Sequence, residues 1–183
     1  MKHLLEKTIA KETVYKGKII QVDVDTVELP NGKTSKREIV HHQGAVGILA
    51  VTADLKMIFV RQFRKPLEQA ILEIPAGKLE QGENPLDCAI RELKEETGYT
   101  TTNMTQISKF YTSPGFADEV IYLFKAEELQ SGLAVPDEDE FVELVQLTFD
   151  EALDLINEGK IMDAKTVIAV QYWQLEMSKD EKK

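Results

Sequence analysis

Three glutamates, Glu92, Glu95 and Glu96, stand within five residues directly after Arg91. On a helix turning 100° per residue, Glu92 and Glu96 lie about 40° apart, while Glu95 lies about 60° from Glu92 and about 100° from Glu96. Like charges at these spacings cost on the order of 0.2 to 0.5 kcal/mol per pair, so the pattern is poorly made for a face that only has to be wet. A divalent cation reverses that penalty by giving the oxygens a shared ligand. Hard cations such as Mg²⁺ take carboxylate oxygens, keep several waters and leave coordination positions open to phosphate. Arg91 stands one turn before Glu95, where the two can pair.

The element that must hold these glutamates is marked at both ends. Asn84 suits an N-cap, Pro85 the first helical position and Gly98 the residue past the end, which predicts a helix over 85–97. Leu86, Ala89, Ile90, Leu93 and Thr97 fall in a stripe roughly 100° wide, the face expected to meet the core, with Glu92 and Glu96 on its flank. Further helices are predicted over 150–157, closed by Gly159, and over 164–177. Residues 19–29 and 37–40 read as a β-hairpin turning at Asn31-Gly32. Short apolar runs at 46–51, 57–60, 71–74, 107–111, 120–124 and 141–147 read as strands. No internal repeat or low-complexity linker interrupts them.

Around the helix the sequence runs Gly77, five residues, Glu83, seven residues, then Arg91-Glu92-Leu93-Lys94-Glu95-Glu96-Thr97-Gly98-Tyr99. This resembles the complete Nudix box. Nine constrained positions match across 23 residues, and at ordinary residue usage a chance match somewhere in the chain is rarer than about one in a million. Ser113-Pro114-Gly115-Phe116 follows, with Pro114 15 residues after Tyr99; a proline there resembles the ADP-ribose pyrophosphatase subfamily. The likeness covers most of the chain, from Lys36-Arg37-Glu38 to the last helix.

The resemblance implies an α/β/α sandwich around a mixed β-sheet, with residues 1–40 as a small N-terminal antiparallel sheet and 41–183 as the hydrolase domain. It implies a homodimer in which the N-terminal sheet reaches the partner's substrate site. Carried over by position, the Ala76 carbonyl, Glu92 and Glu96 bind Mg²⁺, or Mn²⁺ in its place, with Glu95 close by as a catalytic residue, and Arg91 and Glu83 brace the loop. In the acidic run Asp137-Glu138-Asp139-Glu140, Glu138 matches the catalytic base and Glu140 a further metal ligand, although four carboxylates compete for those roles. Arg37 and Arg64 match substrate arginines, whose guanidinium forks suit phosphate; a surface or interstrand ion pair is their ordinary alternative. Ser113, Pro114, Gly115 and Glu119 line the terminal ribose by the same analogy, whereas as bare residues they suggest a turn and a strand.

The implied reaction is hydrolysis of the diphosphate of ADP-ribose to AMP and ribose 5-phosphate. Other nucleotide sugars, NADH and dinucleoside polyphosphates stay open as substrates, because the box addresses the diphosphate and not the groups on it. A nucleotide-sensing module without catalysis is a rival of another class, opposed by the full set of box glutamates.

Composition narrows the partners. With 22 Lys+Arg against 32 Asp+Glu, the 183-residue chain carries a net charge of -10, which repels nucleic acid and anionic membranes. No stretch approaches the roughly 20 apolar residues of a membrane span. Cys88 is the one cysteine, so no intramolecular disulfide forms, which favours the cytoplasm. His41 and His42 are adjacent, point to opposite faces of a strand and form no zinc motif. They, Cys88 and Trp173 are read as structural.

Overall fold

The computed structural model describes residues 2–134 and 141–180. Its contacts divide the chain into two units, Met1–Gly44 with Phe110–Val120, and Ala45–Lys109 with Ile121–Lys183.

In the first unit, β1 (Lys7–Lys16), β2 (Ile20–Glu28) and β3 (Thr34–His42) form an antiparallel sheet in that order. The hairpin expected at Asn31-Gly32 joins β2 to β3. Its loop is one residue longer than a two-residue turn: Leu29 N–H donates to Lys33 O at 2.7 Å, and Gly32 adopts φ 79°, the left-handed conformation of a three-residue hairpin loop. β1 has no counterpart among the strands predicted above. All ten of its residues are exposed, so no alternation between an apolar and a polar face marks it. Thr8 bonds Asp25 at 3.0 Å, and Lys11 and Thr13 bond Asp23 at 2.9 and 2.7 Å. The 110–120 segment is tied to β3, with Val40 N–H donating to Phe116 O at 2.8 Å and Asp118 N–H to Val40 O at 3.1 Å.

The second unit holds two sheets. β4 (Ala45–Ala50), β7 (Ala76–Lys78), β8 (Asn103–Tyr111) and β9 (Val120–Glu127) run in the order β7-β4-β9-β8, with β4 parallel to β9 and antiparallel to β7. β5 (Met57–Arg64), β6 (Gln69–Glu73) and β10 (Val142–Leu147) form an antiparallel sheet in the order β10-β5-β6. On one face of β4, Val46, Ile48 and Ala50 share a buried cluster with Cys88, Ala89 and Leu93 of α1 (Pro85–Thr97). Burial of such aliphatic side chains contributes roughly 1.5–3 kcal/mol each. On the other face, a Cβ on Gly47 would lie 3.7 Å from the Lys165 side chain of α3 (Ala164–Asp180). Helices therefore cover both faces of this mixed sheet, as expected for an α/β/α layering. Among the described residues no helix is long and apolar enough to cross a membrane.

α1 has the bounds and caps its sequence announces: Asn84 Oδ1 accepts from Leu86 N at 2.9 Å, and Gly98 closes the helix at φ 75°. Its buried face is rotated from the expected stripe. Leu86 and Ile90 are each 38% exposed, whereas Cys88, Ala89, Glu92, Leu93, Glu96 and Thr97 are buried. The carboxylates turn inward because β7 offers them a partner. α2 (Phe149–Asn157) starts behind a Thr148–Glu151 capping box. Trp173 of α3 is core, meeting Phe149 edge-on at 5.5 Å.

Candidate active site

The site is built where α1 faces β7. Glu96 Oε2 accepts the N–H of Ala76 at 2.9 Å. At the next residue, a Cβ on Gly77 would lie 1.8 Å from Cδ and Oε1 of Glu92, so only a glycine lets that carboxylate lie against the strand. Glu92 and Glu96 are 8% and 4% exposed. Carboxylates at that depth persist only with polar partners.

Arg91 supplies one of them, to Glu92, and binds two further glutamates. Its Nη1 donates to Glu92 Oε1 at 2.8 Å and to Glu95 Oε2 at 2.9 Å, while Nε and Nη2 fork onto Glu83 at 3.1 and 3.2 Å. Glu83 also accepts the Glu80 N–H at 2.9 Å, so the guanidinium ties the loop before α1 to the glutamates on it. The hydrogen bond to Glu83 leads in raising the Arg91 pKa, and the same bond leads in holding the Glu83 carboxyl below the usual range. Arg91 therefore stays charged and orients Glu92 and Glu95. Ala76, Glu92, Glu95 and Glu96 are thus brought together, braced by Arg91 and Glu83.

Arg64 sits at the end of β5 and forks onto Glu73 of β6, at 2.5 Å from Nε and 2.8 Å from Nη2. Burial pushes the Glu73 carboxyl up, but Arg64 and Lys165 outweigh it and hold the pKa low. Lys165 Nζ donates to Glu73 Oε2 and, at 3.1 Å, to Asp163 Oδ1. Sequence reasoning assigned no role to Lys165 or Asp163, because nothing local connects residues 92 positions apart.

In the first unit, Arg37 forks onto Glu6 at 2.8 and 2.6 Å. Ser113 O accepts from Phe116 N at 3.1 Å and from Ala117 N at 2.9 Å, bending the chain around Pro114 and Gly115. Glu119 accepts from Thr112 Oγ1 at 2.7 Å. His41 lies between Asp118 and Asp23, at 2.6 and 2.9 Å. Cys88 is buried, and burial leads in pushing its thiol up to about 12. Glu138 and Glu140 lie outside the described residues.

Two buried carboxylates on one helix, set against a strand backbone, offer oxygen atoms of the kind that suit a hard divalent cation, which retains waters and accepts phosphate oxygens. Among the described residues no three His, Cys, Asp or Glu side chains form a complete cage.

Comparison with known proteins fits this geometry. The NUDIX domain family model matches residues 41–168, and the model of the nucleoside diphosphate sugar hydrolase N-terminal domain matches residues 6–40. The ADP-ribose pyrophosphatase of Bacillus subtilis (strain 168) is 59% identical over 177 residues, covering 96% of each chain. A methanol dehydrogenase activator of Bacillus methanolicus is 57% identical over 173 residues, 93% of this chain and 94% of that one. The crystal structure of an ADP compounds hydrolase shares the fold at a TM-score of 0.84 and 23% identity, over 97% of both chains. The chain belongs to the Nudix hydrolase family and carries at its front the N-terminal domain of nucleoside diphosphate sugar hydrolases.

Proposed function

We propose that this protein hydrolyses the diphosphate bond of ADP-ribose, giving AMP and ribose 5-phosphate, with Mg²⁺, or Mn²⁺ in its place, held by Glu92, Glu96 and the Ala76 backbone. The observation that carries the reading is the convergence of two buried carboxylates on the Ala76-Gly77 backbone. Bound divalent cations neutralise diphosphate charge and lower the pKa of water. The remaining work falls to the chain. Arg91 holds Glu92 and Glu95 in place, and Arg64 and Arg37 meet phosphate oxygens with bidentate forks. Each of those forks now holds a glutamate, which, like a phosphate, can offer two oxygens to a guanidinium.

By the family resemblance, Glu138 takes the proton of the attacking water, Glu140 adds a ligand, and Ser113, Pro114, Gly115 and Glu119 line the distal ribose. Residues 1–40 act as a dimer-exchanging β region on the 41–183 hydrolase domain. The fully exposed β1, with Ile9, Val14 and Tyr15 uncovered, supports a homodimer. A single cysteine is in keeping with a reducing cytoplasm.

A second reading keeps the chemistry and changes the substrate, because the N-terminal domain match names nucleoside diphosphate sugars at large. The test is a phosphatase-coupled phosphate-release screen of ADP-ribose, GDP-mannose, NADH and diadenosine polyphosphates, each with and without Mg²⁺. Preferred, metal-dependent hydrolysis of ADP-ribose supports the first reading. Preference for another compound moves the assignment to that substrate, and silence on all of them points to a nucleotide-binding module.

A further inference from the structure

The α3 side of the mixed sheet holds a polar cluster of which the proposed reaction uses Arg64 alone. Asp163 precedes α3 and caps it, accepting the Thr166 N–H at 3.0 Å and the Thr166 hydroxyl at 2.6 Å through Oδ2. Thr166 is fully buried, and its Oγ1 accepts the N–H of Ile74 at 2.9 Å. Ile74 lies two residues before Ala76, whose N–H meets Glu96. The other Asp163 oxygen, Oδ1, holds Lys165, which reaches Glu73, the residue that grips Arg64. Glu73 is 1% exposed and sits between two cations. The four charged groups Arg64, Glu73, Lys165 and Asp163 balance to zero around the buried Glu73.

We propose that Asp163, Lys165 and Thr166 are positioning residues for the diphosphate reaction: through Thr166 they set the backbone that presents Ala76 to Glu96, and through Lys165 and Glu73 they set the guanidinium of Arg64. Thr166 acts on the carboxylate pair, because a slack Ile74–Ala76 segment withdraws the donor that orients Glu96. Lys165 acts on phosphate contact. Without it, Glu73 has Arg64 as its remaining cation in the cluster and holds it back from substrate. Outer partners of this kind typically change metal affinity or activity by about 10- to 100-fold when removed.

The proposal rests on the hydrolase reading of the Glu92–Glu96 site, and the experiment separates the two. Full-length wild type, T166V and T166S are titrated with Mn²⁺, the free ion being counted by electron paramagnetic resonance, and each is melted without metal to establish that it is folded. T166V keeps the shape of the side chain and loses Oγ1. It is expected to bind Mn²⁺ about tenfold more weakly, with T166S restoring wild-type binding. A merely structural Thr166 would lower the melting temperature and leave the Mn²⁺ affinity of the folded chain unchanged, which overturns the proposal. Should T166V not fold, K165M carries the test, because it leaves the Thr166 bonds in place. It is expected to raise the KM for ADP-ribose about tenfold, with K165R restoring most of the loss. An unchanged KM in folded K165M overturns the Arg64 arm. Wild type that binds Mn²⁺ and hydrolyses ADP-ribose while both variants match it defeats this proposal alone. Wild type that does neither defeats the hydrolase reading, and the proposal falls with it.

Discussion

The Ala76 amide donates to Glu96 Oε2 across 2.9 Å, joining a three-residue strand to the last turn of a helix 20 residues further along the chain. That bond fixes the orientation of the carboxylate on which the proposed chemistry depends. The residues around it make separable predictions.

Gly77→Ala tests the fit of Glu92 against β7. A methyl group at 1.8 Å from the Glu92 carboxyl carbon displaces the side chain. The Glu92 side chain is flexible, so the fold survives. We expect wild-type circular dichroism and a fall in kcat/KM of about tenfold or more, partly recovered by raising Mg²⁺. A wild-type Mg²⁺ profile would show that Glu92 does not work from this position.

Arg91→Met tests the brace and has a pH signature. At neutral pH, removing the fork from Glu83, Glu92 and Glu95 is expected to cost about 2 kcal/mol in urea unfolding. The Glu83 carboxyl is held below its usual value of 4.5, with the Arg91 hydrogen bond as the leading cause. A depressed carboxyl stabilises fully above its unfolded pKa and loses that contribution as pH falls through its folded pKa. The gap between wild type and variant should therefore be constant down to about pH 5 and narrow below about 4.5. A gap that widens in acid would contradict the pairing.

Cys88 should be silent to thiol reagents in the native state. Burial leads in pushing its thiol up to about 12, so the reactive thiolate is scarce at neutral pH. Labelling with an aromatic disulfide near pH 8 is expected only after denaturant is added; rapid native-state labelling would contradict the buried placement.

Much of this was legible before the fold. The ends of α1 carry their own signals in Asn84, Pro85 and Gly98, and the i,i+4 glutamates announced the pair that β7 receives. Legibility failed where local pattern carries no information. β1 is exposed along its whole length, so periodicity could not mark it, and Ala76–Lys78 is too short for any window to register. The apolar stripe of α1 was misplaced because hydropathy alone sends Leu86 and Ile90 inward, whereas the hydrogen bond from Ala76 and the gap at Gly77 draw Glu96 and Glu92 in instead. The Arg64–Glu73–Lys165–Asp163 cluster depends on packing between elements distant in sequence: the family resemblance marks Arg64, but nothing local marks the other three as its partners.

The most direct measurement is ADP-ribose turnover by Glu96→Gln across a Mg²⁺ titration, beside wild type and with thermal melts of both. Glutamine keeps an oxygen for the Ala76 N–H and removes the charge, so the account expects a folded protein with turnover down by about 100-fold even at saturating Mg²⁺. Near-wild-type turnover at saturating Mg²⁺ would contradict it.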